Sequence, residues 1–168
     1  MEYTQNQYVI YNGAEICRIG EKVRKCFDGK NENEYYTLSS KDSKSTYYIP
    51  AEKIDENVRP LMTKEQILKV VDSLPYVEAE WTDDRNERKL KFSDAIRNGD
   101  YSRILPMVSG IWNEKAERAK KGKHLLNDDR RNFELAKKLL HTEISFLFNI
   151  SIDEAEEFIQ KRIQKNQL

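Results

Sequence analysis

The hydrophobic period of this chain changes once, near residue 60, and that change limits the fold to two dissimilar parts. Between residues 7 and about 50 the runs "YVIY", "AEICRIGEKVRKCF", "YYTL" and "TYYIP" are rich in β-branched and aromatic residues and are separated by polar turns. That is the pattern of short antiparallel strands. Gly20, inside the long run, marks a bend or bulge, and Asp28-Gly29 opens a turn. Pro50 ends the last strand because it has no N–H to give a ladder. Neighbouring strand residues point to opposite faces, so Tyr47 and Tyr48 cannot both be core, and Tyr35 and Tyr36 divide in the same way.

From Thr63 onward the spacing is helical. Thr63-Lys-Glu-Gln66 is a capping box, followed by Ile67, Val71 and Leu74, and Pro75 stops that helix. A second helix is expected from about Thr82 to Asn98, with Thr82 as N-cap and Gly99 closing it. A third is expected from Ser102, which puts Pro106 in the first turn, where its missing N–H costs nothing; a start at Asp100 would break a hydrogen bond or kink the helix. Ile104, Val108, Ile111 and Trp112 are read as its buried stripe. After the basic connector "RAKKGKH", Asn127 is read as the cap of a fourth helix with Phe133, Ala136, Leu140, Ile144 and Leu147 inward. Ser151-Ile-Asp-Glu154 is a capping box for a last helix carrying Ile152, Ala155, Ile159 and Ile163. The expected class is α+β: a small bent antiparallel sheet or barrel over 1–60, a joining helix over 61–75 and an all-helical bundle over 76–168.

Twenty-nine Lys and Arg balance 29 Asp and Glu, so a basic site must be a local patch rather than a property of the whole chain. No apolar run reaches the roughly 18 residues of a membrane span and the N-terminus lacks a signal-peptide pattern, so a cytoplasmic protein with no membrane partner is expected. Cys17 and Cys26 read as plain strand residues, His141 as a packing histidine and His124 as exposed in the basic loop. None of the phosphate-binding, nucleophile-elbow or zinc-helix motifs is present. No catalytic activity, metal or cofactor is expected.

Trp81 stands immediately before the charged run "TDDRNERKLK". With Thr82 as cap, its staple partner would be Asn86, which is polar, and the first apolar residue of the helix is Leu90. Trp81 therefore either packs against another element or stands out from the surface. Arg85, Arg88, Lys89 and Lys91 form one basic cluster, and Arg118, Lys120, Lys121 and Lys123 a second. Each fits a phosphate contact or a solvated face, and Asp83 and Asp84 would repel phosphate.

The order of parts resembles the CarD family of bacterial transcription regulators. The matching stretches are "YVIYNGAEICRI" at 8–19, "EYYTL" at 34–38, "YYIPAEKI" at 47–54 and "VRPLMTKEQILKVVDSLP" at 58–75. They continue with the tryptophan at 81, "AIRNGD" at 95–100, "IWNEKAER" at 111–118 and "KKLLHTEISFLFNIS" at 137–151. The resemblance implies a Tudor-like β module, shared with the polymerase-interacting domain of the transcription-repair coupling factor, that docks on the RNA polymerase β subunit. It also implies a helical domain at the upstream edge of melted promoter DNA, where a tryptophan wedges into the minor groove and stabilises the open complex. Lys22 falls where the family carries a basic polymerase contact and Tyr48 where some members place an arginine, so with Arg24 these are the expected polymerase contacts. Trp81 matches the wedge tryptophan, with Arg88 and Lys89 the nearest basic equivalents. The two clusters complete the expected DNA contacts as Arg85, Arg88, Lys89, Lys91, Lys120, Lys121 and Lys123. The chain departs from the family where "YNGAE" replaces a Pro-x-His-Gly and where Thr82-Asp83-Asp84 replaces basic residues after the tryptophan. A monomer is expected, with weak DNA binding of its own. The alternative is an interaction adaptor, a Tudor-like module with a helical bundle and no DNA role.

Overall fold

The computed structural model describes residues 2–166. It is α+β and divides into two compact units, one ending at Leu61 and the other beginning at Met62.

In the first unit, β1 (Tyr8–Tyr11), β2 (Glu15–Lys25), β3 (Asn33–Ser40), β4 (Thr46–Pro50) and β5 (Val58–Pro60) form one antiparallel sheet in the order β4-β3-β2-β1-β5. β4 and β5 are its two edges, so the sheet is open and not a closed barrel. β5 is a strand that the sequence runs do not mark: three residues reached through a single 3-10 turn (Ala51–Lys53) and a short helix, α1 (Ile54–Asn57). Gly20 sits where the β2–β3 register shifts between Ile19 and Lys22. A Cβ there would collide with the Thr37 hydroxyl, which donates to the Glu21 carbonyl oxygen at 2.9 Å and ties the bulge to β3. The core joins Tyr3, Val9, Cys17, Ile19, Tyr36, Leu38, Ile49, Ile54 and Val58. Burial pushes the Cys17 thiol up to about 12, leaving it an inert packing group. Cys26 lies just past the end of β2, exposed and free.

The second unit holds α2 (Lys64–Ser73), α3 (Arg85–Asn98), α4 (Tyr101–Lys120), α5 (Asn127–Phe148) and α6 (Ile152–Asn166). Both capping boxes form: Thr63 with Gln66, and Ser151 with Glu154. α2 is an integral part of this unit; Ile67 and Val71 are fully buried, and Asp72 receives two hydrogen bonds from Arg162 of α6 at 2.6 and 2.7 Å. Glu143 of α5 is buried and accepts from the Met62 N–H and the Tyr101 hydroxyl.

Three helix starts differ from expectation. Asp84 caps α3 in place of Thr82, its carboxylate accepting from the N–H groups of Asn86 and Glu87. Asp100 caps α4 in place of Ser102, so Pro106 lies in the helix interior. In both cases a carboxylate that can take the orphan N–H groups prevails over the competing signal, because it also meets the positive end of the helix dipole. Asn127 is the first residue of α5, after Leu126, with no side-chain cap. Gly99 closes α3 in the left-handed conformation at φ 61°. Among the described residues no helix is long and apolar enough to cross a membrane.

Candidate functional site

The segment leading into α3 is fastened to α4 by its backbone. Pro106 removes one N–H from the interior of α4, yet its carbonyl accepts from the Glu80 N–H at 2.9 Å. The Glu80 carbonyl in turn lies over Gly110, where a Cβ would collide with its oxygen and come within 2.9 Å of its carbon. This close approach fixes the chain at Trp81. The indole is half-buried, donates its N–H to Asp83 at 3.1 Å and is covered by the Arg88 guanidinium at 4.1 Å from the ring centre. Arg88 is itself spent. It forms a two-pronged pair with buried Asp129 (3.2 and 2.9 Å) and donates to the Thr82 carbonyl at 2.6 Å, with only 11% of its side chain exposed.

The two basic clusters fare differently. In the first, Arg85 pairs with Asp128 at 2.6 Å and Lys91 with Glu87 at 2.8 Å, so Lys89 is left without an ion-pair partner among the described residues. Those contacts lower the Asp128 pKa, chiefly through Arg85, and that of Glu87, chiefly through Lys91. In the second, Arg118 pairs with Glu114 and Lys120 with Glu117, whereas Lys121 and Lys123 pair with no carboxylate among the described residues. Trp112 overturns the expectation of a core residue. It is 57% exposed, stacked on Phe133 with ring centres 5.9 Å apart and planes at 27°, and the Lys115 ammonium lies 5.2 Å from its ring centre. Leu90 is exposed as well, so the buried face of α3 begins at Phe92.

In the β unit, pairing assigns the faces. Tyr36 opposes Ile49 and Lys22, and Glu34 opposes Arg24, so Lys22 and Arg24 lie on the core side of the sheet beyond its buried part. The Lys22 ammonium sits 4.7 Å over the Tyr36 ring, and a hydrogen bond to that phenol raises its pKa. Arg24 reaches Glu34 at 3.4 Å. Tyr48 opposes Thr37 and Tyr35 opposes Pro50, which places Tyr48 on the other face. The three positions carried over as polymerase contacts therefore do not share one surface. Tyr48 instead joins Tyr35, the other outward tyrosine, in a cluster completed by Phe27, which the sequence did not single out. Phe27, 59% exposed, packs edge-on against Tyr35 (5.0 Å) and Tyr48 (5.5 Å), and the Lys25 ammonium lies 4.8 Å over the Tyr48 ring. Asp28 anchors the adjoining turn. Its carboxylate accepts from the N–H groups of Lys30 and Asn31 at 2.9 Å each, which hold its pKa down at about 2, and Gly29 takes φ 70°.

No family model matches the chain, and no curated protein matches it significantly.

Proposed function

We propose that this protein is a non-enzymatic transcription regulator. Its β unit docks on the β subunit of RNA polymerase, and its helical unit contacts upstream promoter DNA and stabilises the open complex. The observation that carries the reading is the outer face of the sheet. Phe27, Tyr35 and Tyr48 form an exposed aromatic cluster around Lys25, beside an edge strand, β4, that is paired on one side only. An edge strand gives main-chain hydrogen bonds to an added strand, and flanking aromatics give it area and specificity. The order of sequence stretches shared with the CarD family supports the same partner. Docking would supply the effective concentration that a chain of zero net charge lacks for DNA on its own.

The test is equilibrium binding to the isolated polymerase β subunit. The full chain binds at micromolar concentration or below, and Phe27→Ala with Tyr48→Ala weakens binding about tenfold, the loss expected of anchor residues at an interface core. Absence of binding at micromolar concentration would remove the proposal.

The adaptor reading, with no DNA role, is favoured by the neutralised cluster around Trp81, where Arg85, Arg88 and Lys91 are already paired. Salt dependence separates the two: phosphate contacts impose a steep log–log slope on promoter binding, and an adaptor shows none.

A further inference from the structure

We infer that Trp112, backed by Phe133 and bordered by Lys115, Lys123 and Arg130, is a stacking platform for an unpaired base of a single-stranded nucleic acid. The inference rests on the reading of the helical unit as the part that meets nucleic acid, and it moves the aromatic contact from Trp81, in the segment before α3, to α4.

Exposure is the first support. Tryptophan is mostly a packing residue, and here Trp112 keeps more than half its surface open although it belongs to a helix whose Ile104, Leu105 and Ile111 are buried. It is held in place all the same, by the stack on Phe133. A fixed, open indole is what base stacking requires.

Shape is the second. Trp112 and Phe133 line an open groove of 750 Å³ with Leu105, Val108, Ile159 and Ile163. A neighbouring cleft of 260 Å³ shares Lys115 and Phe133 with it and adds Lys123, His124, Leu125 and Arg130. An apolar floor thus runs directly into a basic rim.

Charge is the third, and it selects the occupant. Between residues 114 and 131 every carboxylate is already engaged: Glu114 with Arg118, Glu117 with Lys120, Asp128 with Arg85 and Asp129 with Arg88. Lys115, Lys121, Lys123, Arg130 and Arg131 are left without a carboxylate partner among the described residues. Of the acids, Glu134 lines both the groove and the cleft, and Glu156, in the groove, is paired with Lys137 at 2.9 Å. Unmatched cations beside an aromatic platform suit a polyanion that carries ring faces. Duplex DNA keeps its ring faces stacked inside the helix, so the surface selects an unpaired strand.

The experiment measures binding of labelled oligo(dT), oligo(U) and a duplex of the same length to the full chain, together with tryptophan emission in a Trp81→Phe variant. Expected are quenching of Trp112 by the unpaired strands, duplex binding at least about tenfold weaker, about tenfold weaker oligo(dT) binding in Trp112→Ala and recovery in Trp112→Tyr. Lys115→Ala with Lys123→Ala should lower the salt slope by about 1.4, two phosphate contacts' worth. A preference for oligo(dT) or for oligo(U) tells whether the strand is DNA or RNA. Because Trp81 is packed, the Trp112→Ala comparison in the otherwise unchanged chain stands as the second readout. Equal affinity of Trp112→Ala and the parent for oligo(dT), or emission untouched at saturation, overturns the inference. Quenching by the polymerase β subunit but not by oligonucleotide overturns it in favour of a protein groove. Binding to the β subunit is measured separately, so absence of oligonucleotide binding by the parent chain with polymerase binding present counts against the platform alone, whereas loss in Trp112→Ala with polymerase binding retained supports it.

Discussion

The guanidinium of Arg88 covers the indole of Trp81 at 4.1 Å while its Nε and Nη2 donate to the buried carboxylate of Asp129. One arginine thus joins the segment before α3, α3 itself and the first turn of α5. Trp81 would have to give up this partner, and its hydrogen bond to Asp83, before it could insert anywhere else.

Removing Arg88 leaves a carboxylate that is 4% exposed without its counter-ion. Arg88→Ala should therefore destabilise the helical unit by about 3–5 kcal/mol, the range for breaking one side of a buried pair. Pairing Arg88→Met with Asp129→Leu should recover most of that loss. Thermal melts of the three variants check this, and an Arg88→Ala melting point equal to the parent's would mean the pair is not formed in solution.

Gly110→Ala opposes helix propensity to backbone contact. In a free helix the change gains about 1 kcal/mol. Here the new methyl meets the Glu80 carbonyl, which cannot retreat without giving up its neighbouring hydrogen bond to Pro106. The variant should be less stable than the parent despite the propensity gain, with the Trp81 emission shifted to longer wavelength as the segment lifts. A more stable variant with unchanged emission would show that the segment is not fastened there.

Much of this was legible in sequence. The switch of period near residue 60, both capping boxes, the bulge at Gly20 and the stop at Gly99 all appear where local chemistry puts them. The two tryptophans differ in exposure: Trp81, left open between packing and standing out, is half-buried, and Trp112, read as core, is 57% exposed. Periodicity assigns Trp112 to the stripe of α4 that carries Ile104, Val108 and Ile111, and it does lie beside Val108 in the groove. Spacing gives the face of a helix but not how far a neighbour covers that turn, and here Trp112 stays exposed with Phe133 stacked on it. Staple spacing asks for an apolar partner for Trp81, whereas the partner that folds over it is a cation seven residues on. The aromatic cluster of the sheet was hidden because the run ending at Phe27 reads as one strand, whereas β2 stops at Lys25 and Phe27 lies in the bend beyond it, where alternation assigns no face.

Acid should loosen the helical unit through His141. Burial holds its pKa in the folded state below the ordinary value of 6.5, with the nearby Lys137 adding to the effect and Glu156 opposing it. The unfolded chain therefore takes up the proton first as pH falls. This contribution is fully present above about 6.5, and it is lost as pH drops from there toward the lower folded value. Melting temperature should fall on acidification through that window, and His141→Leu should flatten the slope. An equal slope in the two proteins would assign the acid sensitivity elsewhere; the other histidine, His124, is exposed.

The central claim is that the chain acts on the transcription complex through the aromatic face of its sheet. The lifetime of the polymerase–promoter open complex tests it most directly, measured after competitor challenge with no addition, with the protein and with its Phe27→Ala, Tyr48→Ala variant. The protein should lengthen that lifetime several-fold and the variant should return it to the level without addition. A lifetime that is the same with and without the protein would contradict the account.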